Sequence, residues 1–378
     1  MGIWAQRLLP LYPMQFAVTV QLTPHPSLWS ECYLYAGACA LAHAGHIALQ
    51  FRTEAHAGSP NLVLLDVTAV STGQRKCLAF DLYDRADLFN PYLLERADIY
   101  YKRSYHQPLV IAGAKEHHEK VHPFGLPFPC HLAGSKRKLF RRLILPYISH
   151  FIDTPGHSTG RMRDDYQILR QFLASPSLEH FVEFPTTPKD PVIAFQTRLW
   201  EPTDTTDDAD AVNNERVGVV RALKKEFGSR FHGGVVPTAY ARANFPDALT
   251  PGECKRSVYI AQAKRSLIGV YTRGLHHSIA YKFPEYLAAS QCIVSTPLRN
   301  QLAAPLDPDV HYLPFGSSDD CVAQCVRVLE NRELASNMRQ ANHTYFLNHV
   351  HPAPVLSHAI KEAFSPAPSV LPMVATQK

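Results

Sequence analysis

The residues of this chain whose types and spacing are best suited to chemistry stand in one run, "YTRGLHHSIAYKFPEYLAASQCIVSTP", residues 271 to 297. Lys282 and Glu285 are three apart, about one turn of a helix, so a cation and a carboxylate stand near its start. Arg273, Gly274, His276, His277 and Ser278 fill the loop just before it. Glycine lets a backbone come close to a ligand, Ser278 and Lys282 can meet phosphate oxygens, and Glu285 can accept hydrogen bonds from two neighbouring hydroxyls of a ribose. The bland alternative is a solvated helix start carrying a surface Lys/Glu pair.

The elements around this run decide between the two. "LIGVYT" before it and "CIVSTP" after it read as buried strands, which makes the run a strand–loop–helix–strand unit. In open α/β sheets a ligand sits beyond the carboxyl ends of the strands, where helix amino termini offer free N–H groups and the positive end of a dipole. The same alternation holds for "VIAFQTRL", "NNERVGVVRALKKEFG" with a capping Asn, "RFHGGVV" and "KRSVYIAQAKRS". Upstream, "FAVTVQL", a helix ending at Gly45, "HIALQF", "LVLLDV", "CLAFDLY", "ADIYY" and "LVIAG" predict an α/β unit with a largely parallel sheet.

Three prolines in "FPTTPKDP", 184 to 191, stiffen the chain and mark a linker. The division expected is therefore residues 1–185 as an acceptor-side lobe, 186–352 as a second lobe, 353–364 as a helix packing back on the first, and 365–378 as a flexible tail. The insert "EPTDTTDDADA" reads as mobile too.

Part of this run belongs to a recognisable pattern. "IAYKFPEYLAASQCIVSTP" resembles the "KxxEYxAxGxPVV" segment of the GT-B glycosyltransferases of the broad group-1 and group-4 type. "VIAFQTRLWEP" resembles their first carboxy-lobe strand and its Arg-bearing turn, and "HPFGLPF", 122 to 128, their Pro/Gly turn before the interlobe region. The resemblance covers most of residues 190 to 350; the first lobe matches only in its α/β alternation. It implies two Rossmann-like lobes facing a cleft, and Glu285 on the ribose of a nucleotide-sugar donor. Arg198, Arg273 and Lys282 would neutralise its diphosphate without a metal, with Gly274, His277 and Ser278 alongside. An inverting reaction would need a base from the first lobe, for which His25 and Glu31 are the nearest candidates. The chain departs from the family in three ways: His277 stands where retaining members often carry a second glutamate, Ser290 where the helix is usually followed by glycine, and no lysine follows Arg198.

Other constellations compete for attention. Asp81, Asp84 and Asp87 stand at i, i+3 and i+6, a spacing that could gather a cation or sugar hydroxyls, though acids capping a helix start explain it as well. His118 and His122 are four apart, as metal ligands on a helix would be, but they precede Pro123 in what reads as a loop. "GHSTG", 156 to 160, has the form of a nucleophile elbow without the buried strand such an elbow needs. "GSKRKLFRRLILPYISHF", 134 to 151, is a basic amphipathic segment that could rest on anionic lipid, or simply form a surface helix.

Composition narrows the classes. With 378 residues, 46% of them hydrophobic, and 38 Lys and Arg against 33 Asp and Glu, the chain is a globular protein with too little positive charge for a dedicated nucleic-acid binder. Its eight cysteines form no CxxC pair and read as reduced thiols; with no signal-peptide pattern, the expected location is the cytoplasm, with peripheral membrane contact through 134–151. The expected activity is glycosyl transfer from a nucleotide-sugar to a glycan, lipid-linked or small-molecule acceptor, with no cofactor. A silent nucleotide-sugar-binding scaffold and a nucleotide-sugar epimerase are the alternatives.

Overall fold

The computed structural model describes residues 14–22, 28–53, 61–132, 170, 175–203 and 208–365. The basic segment 134–151, "GHSTG" at 156–160 and the tail beyond Ser365 lie outside them, as does His25.

The first sheet contains β1 (Phe16–Leu22), β2 (Ile47–Thr53), β3 (Leu62–Ala69), β4 (Arg75–Asp81), β5 (Ile99–Lys102) and β6 (Val121–Pro123), in the order β2-β1-β3-β4-β5-β6. α1 (Leu28–His43) connects β1 to β2, α2 (Pro91–Arg96) connects β4 to β5, and α3 (Gln107–Ala114) precedes β6. The sheet is mixed, because β3 runs antiparallel to both β1 and β4. The short turn between Ala69 and Arg75 is the physical reason for the β3–β4 pair: a parallel pair needs a crossover of about a dozen residues or more, and only a hairpin fits here. "LVIAG" is helical, lying in α3, and not a strand. Pro108 sits in the first turn, where its missing N–H breaks no helical bond, and Val110 and Ala114 bury one face at helical spacing.

The second sheet is parallel throughout. It comprises β7 (Asp190–Thr197), β8 (Phe231–Val235), β9 (Ser266–Tyr271), β10 (Cys292–Ser295) and β11 (Leu313–Pro314), in the order β11-β10-β9-β7-β8. Its helices are α4 (Ala209–Phe227), the short α5 (Ala239–Asn244), α6 (Arg256–Arg265), α7 (Lys282–Ala288), α8 (Ser318–Glu330) and α9 (Arg332–His349). The chain enters with β7, one strand in from the edge, moves out to the β8 edge, then returns to the other side of β7 with β9. The sense of winding therefore reverses between β7 and β9, the place in a doubly wound sheet where a crevice opens beyond the strand ends. Gly269 brings α7 close to the sheet, since a Cβ there would lie 2.8 Å from the Tyr286 ring.

α10 (Pro352–Phe364) leaves the second sheet and packs along α1. Tyr33 of α1 donates to the Val350 carbonyl just before the helix at 2.7 Å, and Tyr101 of β5 donates to the Ala359 carbonyl within it at 3.0 Å, which anchors the helix to the first sheet and its helix α1. One apolar cluster accordingly holds Val20 and Phe80 of the first sheet, Phe128 and Phe181 of the connecting stretch, Tyr271 and Ile293 of the second sheet, and Phe283 of α7. Each such side chain, fully buried, contributes about 1.5–3 kcal/mol. Among the described residues no helix is long and apolar enough to cross a membrane.

Candidate functional site

The loops that leave β7 and β9 are held together by one buried side chain. Arg216 falls on the inner face of α4 with Val212, Val220 and Leu223. It donates through Nε to Thr272 Oγ1 at 3.3 Å, through one terminal nitrogen to the Arg273 carbonyl at 2.9 Å, and through the other to the Arg198 carbonyl. A planar guanidinium with five fixed donors can bridge two chain segments in this way, which an ammonium on a flexible stem cannot. Asn213, one residue further along the chain from Val212, takes both backbone groups of Trp200, with its Oδ1 accepting at 2.9 Å and its amide donating at 2.6 Å. The helix is capped by position at Asp208 rather than by an asparagine: α4 starts at Ala209, four residues before the first asparagine of "NNER", and both asparagines fall inside it.

Asp208 has another use. It accepts from the Arg273 guanidinium at 2.6 Å and from the His276 N–H at 3.2 Å, and Glu215 approaches Arg273 at 3.7 Å. The charge of Arg273 is thus matched within the protein. His276 and His277 both take left-handed backbone angles, φ 56° and 58°, which non-glycine residues seldom adopt and which cluster where structure is held for function. Ser278 is buried and its Oγ fills the space a Cβ would need at Gly274, so this glycine serves the folding of its own loop. His277 is partly exposed; burial lowers its pKa, aided by the neighbouring charges of Arg273 and Arg299.

Lys282 opens α7 and Glu285 follows one turn later. The Lys282 amine lies 5.4 Å from the centre of the Tyr259 ring. Burial, and after it the positive charge of Arg216, with Arg256 and Arg198 adding to it, brings the Lys282 pKa down to about 7, against the opposing pull of Glu285. Glu285 is almost fully buried, 2% exposed, and both its oxygens are taken by Arg256, the longer contact at 3.3 Å. Arg256 stands between the rings of Phe181 and Tyr259, each 5.4 Å away. Arg198 is exposed at the end of β7.

Sequence reasoning thus named Arg198, Arg273, Gly274, His277, Ser278, Lys282 and Glu285, all of which lie on the loops and helix start beyond the ends of β7 and β9. It missed Arg216, Arg256 and Asp208. Arg216 left a signal, an arginine at helical spacing among valines and leucines. Arg256 left none, since "GECKRS" reads as a solvated helix start.

On the first-lobe side, Glu31 is fully buried on α1, where it accepts from the Tyr35 hydroxyl at 2.7 Å and the Asn61 N–H at 3.1 Å. The three spaced aspartates do not converge. Asp81 is buried on Lys102 at 2.6 Å with Tyr100 donating at 2.7 Å, while Asp87 pairs with Arg85 at the surface. Burial raises the Asp81 pKa against the opposing charge of Lys102. His118 and His122 also part ways, the first to the Lys115 carbonyl and the second to Glu362, each at 2.7 Å. Among the described residues no cluster of His, Cys, Asp or Glu could hold a metal ion.

The lobes touch beside the site. Arg103, just past β5, donates to the Ile279 carbonyl at 2.9 Å and lies over the Tyr281 ring at 4.4 Å. Gln301 donates its N–H to the Tyr105 carbonyl at 2.8 Å.

No family model and no curated protein matches the chain. Solved structures do. One from Listeria monocytogenes, described as a UDP-N-acetylglucosamine 2-epimerase, has a TM-score of 0.42 at 11% identity, covering 95% of this chain and 99% of its own. A glycosyltransferase from Rickettsia africae gives 0.39 at 12% identity, with 93% and 98% covered. An alpha-glucosyltransferase in complex with UDP-glucose and abasic-site DNA gives 0.39 at 8% identity, with 92% and 100% covered.

Proposed function

We propose that this protein is a GT-B-type glycosyltransferase that binds a nucleoside-diphosphate sugar against the loops beyond β7 and β9. One observation carries the reading. Arg198, Arg216, Arg256, Arg273 and Lys282 cluster around the switch point, and the carboxylates nearest them, Asp208, Glu215 and Glu285, are fewer and already paired or partly buried. An ammonium pushed towards neutrality by burial, and after it by neighbouring cations, gains its charge back when an anion arrives, and a diphosphate brings the negative charge the cluster lacks.

In this reading Arg198 and Lys282 meet the diphosphate and stabilise it as the leaving group. Arg216 acts behind them by fixing both loops. Glu285 accepts from the ribose hydroxyls: each carboxylate oxygen can accept two hydrogen bonds, so the pair with Arg256 leaves room for a diol. Arg256 in turn aims the carboxylate. Glu31 and His25 stay proposals for the acceptor-side base, and for Glu31 the buried position means that the hydrogen bond from Tyr35 must yield before it takes a proton.

The test is a thermal-shift and turnover series with nucleoside diphosphates and nucleotide sugars. At a hundred times its dissociation constant a ligand stabilises the fold by about 2.7 kcal/mol. Stabilisation by a nucleoside diphosphate, lost in Arg198→Ala and Lys282→Met, with sugar transfer in the presence of acceptor, supports the reading. Epimerised sugar without acceptor points instead to the epimerase alternative, and binding without turnover to a scaffold. No stabilisation by any nucleotide overturns all three.

A further inference from the structure

A second cavity lies where α1, α9 and α10 meet the turn after β6. Its volume is about 650 Å³, within the range of small-molecule sites, and none of Arg198, Arg273, Lys282 or Glu285 lines it. The floor is apolar, built from Leu41, Phe124, Ala353 and Ala359, all buried. The rim carries the ammonium of Lys361 and the imidazoles of His46, His349 and His358; burial, and after it the neighbouring His358 and His311, lowers the His349 pKa, so that ring serves as a neutral hydrogen-bonding group. Glu362 is the one carboxylate among the described lining residues, and its charge is engaged, with one oxygen on His122 at 2.7 Å and the other accepting from Tyr101 at 2.8 Å. An apolar floor asks for an apolar body, and a rim with one ammonium, imidazole donors and a single acid already engaged asks for an anionic head.

We infer that this cavity binds an amphipathic organic anion, a single apolar chain ending in a carboxylate or phosphate, seated tail-inward with its head at Lys361. The chain lies over Leu41 and Phe124 and replaces water on a surface that gains nothing from being wet. The head meets the Lys361 ammonium, with the imidazoles of His349 and His358 as further donors. The inference stands apart from the glycosyl-transfer reading, because it uses a different face and different residues.

The test is calorimetric titration of the full chain with laurate, dodecyl phosphate and uncharged dodecanol, with sedimentation alongside vesicles of phosphatidylcholine and phosphatidylglycerol. Lys361→Glu reverses the rim charge, and Ala44→Trp places an indole at an exposed position of the lining, so neither perturbs the core. Saturable binding of one anion per chain is expected, weakened roughly tenfold or more by Lys361→Glu and blocked by Ala44→Trp, with circular dichroism unchanged. Vesicle capture lost in both variants identifies a membrane lipid as the source of the chain, and absence of vesicle capture identifies a free anion; either supports the site. No saturable binding of laurate or dodecyl phosphate, equal binding of dodecanol, or binding unchanged by both substitutions overturns it.

Discussion

The Arg256 guanidinium grips both oxygens of the Glu285 carboxylate, one turn after Lys282, and does so from a helix on the other side of β9 in the chain. Glu285 is nearly sealed from water and Arg256 is about a third exposed, 35%. Removing the arginine leaves a buried carboxylate without its partner. Arg256→Ala is expected to destabilise the fold by about 2 kcal/mol, less than the roughly 3–5 kcal/mol of a fully buried pair because water still reaches the arginine. Urea denaturation reads the loss. A variant as stable as the parent removes the pair as a structural element.

Lys282 makes ligand binding pH-dependent. With a folded pKa brought to about 7 from the ordinary 10.5, the unfolded chain holds a proton between these values that the folded chain lacks, so this residue makes stability rise with pH across that window. A bound phosphate reverses the preference and restores the proton. Affinity for a nucleoside diphosphate should fall as pH climbs above 7, by up to about tenfold per pH unit, with proton uptake on binding at pH 8. Calorimetry in buffers of different ionisation enthalpy measures the uptake. It disappears in Lys282→Met, and uptake that persisted there would move the proton to another group.

Arg216 tests whether the two loops act as one. Arg216→Lys keeps the charge but loses the fork that reaches the Arg198 and Arg273 carbonyls. Nucleotide affinity should fall by roughly tenfold, about 1.4 kcal/mol, through disorder of the loops rather than loss of a direct contact. Equal affinity in the variant rules out the pinning role.

Ser290 follows α7 with φ 49°, in the left-handed region that favours glycine, and its hydroxyl donates to the Glu183 carbonyl at 2.5 Å while meeting His343 Nδ1 at 3.1 Å. Ser290→Gly relieves the backbone and loses the hydrogen bonds; Ser290→Ala loses them and keeps the strain. The alanine variant should therefore be the less stable of the two, by about 1 kcal/mol. Comparing their thermal midpoints decides the point, and the reverse order would falsify it.

Lys102 and Asp81 form a pair with no exposure on either side chain. Lys102→Met alone should cost about 3–5 kcal/mol, while Lys102→Met with Asp81→Leu recovers part of it, since two apolar groups leave no charge stranded but the Tyr100 hydroxyl and the Tyr83 N–H lose their acceptor. Chemical denaturation of the single and double variants measures the coupling.

Much of the frame was legible in the amino-acid order, because its signals are local. Apolar runs separated by helix-length segments predicted the second sheet, and the loop after "LIGVYT" followed from that alternation alone. The antiparallel β3 is where the largely parallel expectation fails: the spacing from Ala69 to Arg75 has room only for a hairpin. "LVIAG" was ambiguous: five apolar residues are too few for a period of 2 to be told from one of 3.6, and Pro108 at a helix start tipped the balance.

What the sequence by itself determined is which residue types stand at the strand ends: Arg198, Arg273, Lys282 and Glu285 are there whatever the packing. Only the tertiary structure decided how their charges are spent. Arg256 reaches Glu285 across 29 positions of sequence, Arg216 reaches the Arg273 carbonyl across 57, and Asp208 meets Arg273 across 65. Such partners are chosen by the order of strands in the sheet, and periodicity, which reports only the few residues on either side of a position, carries no record of that order.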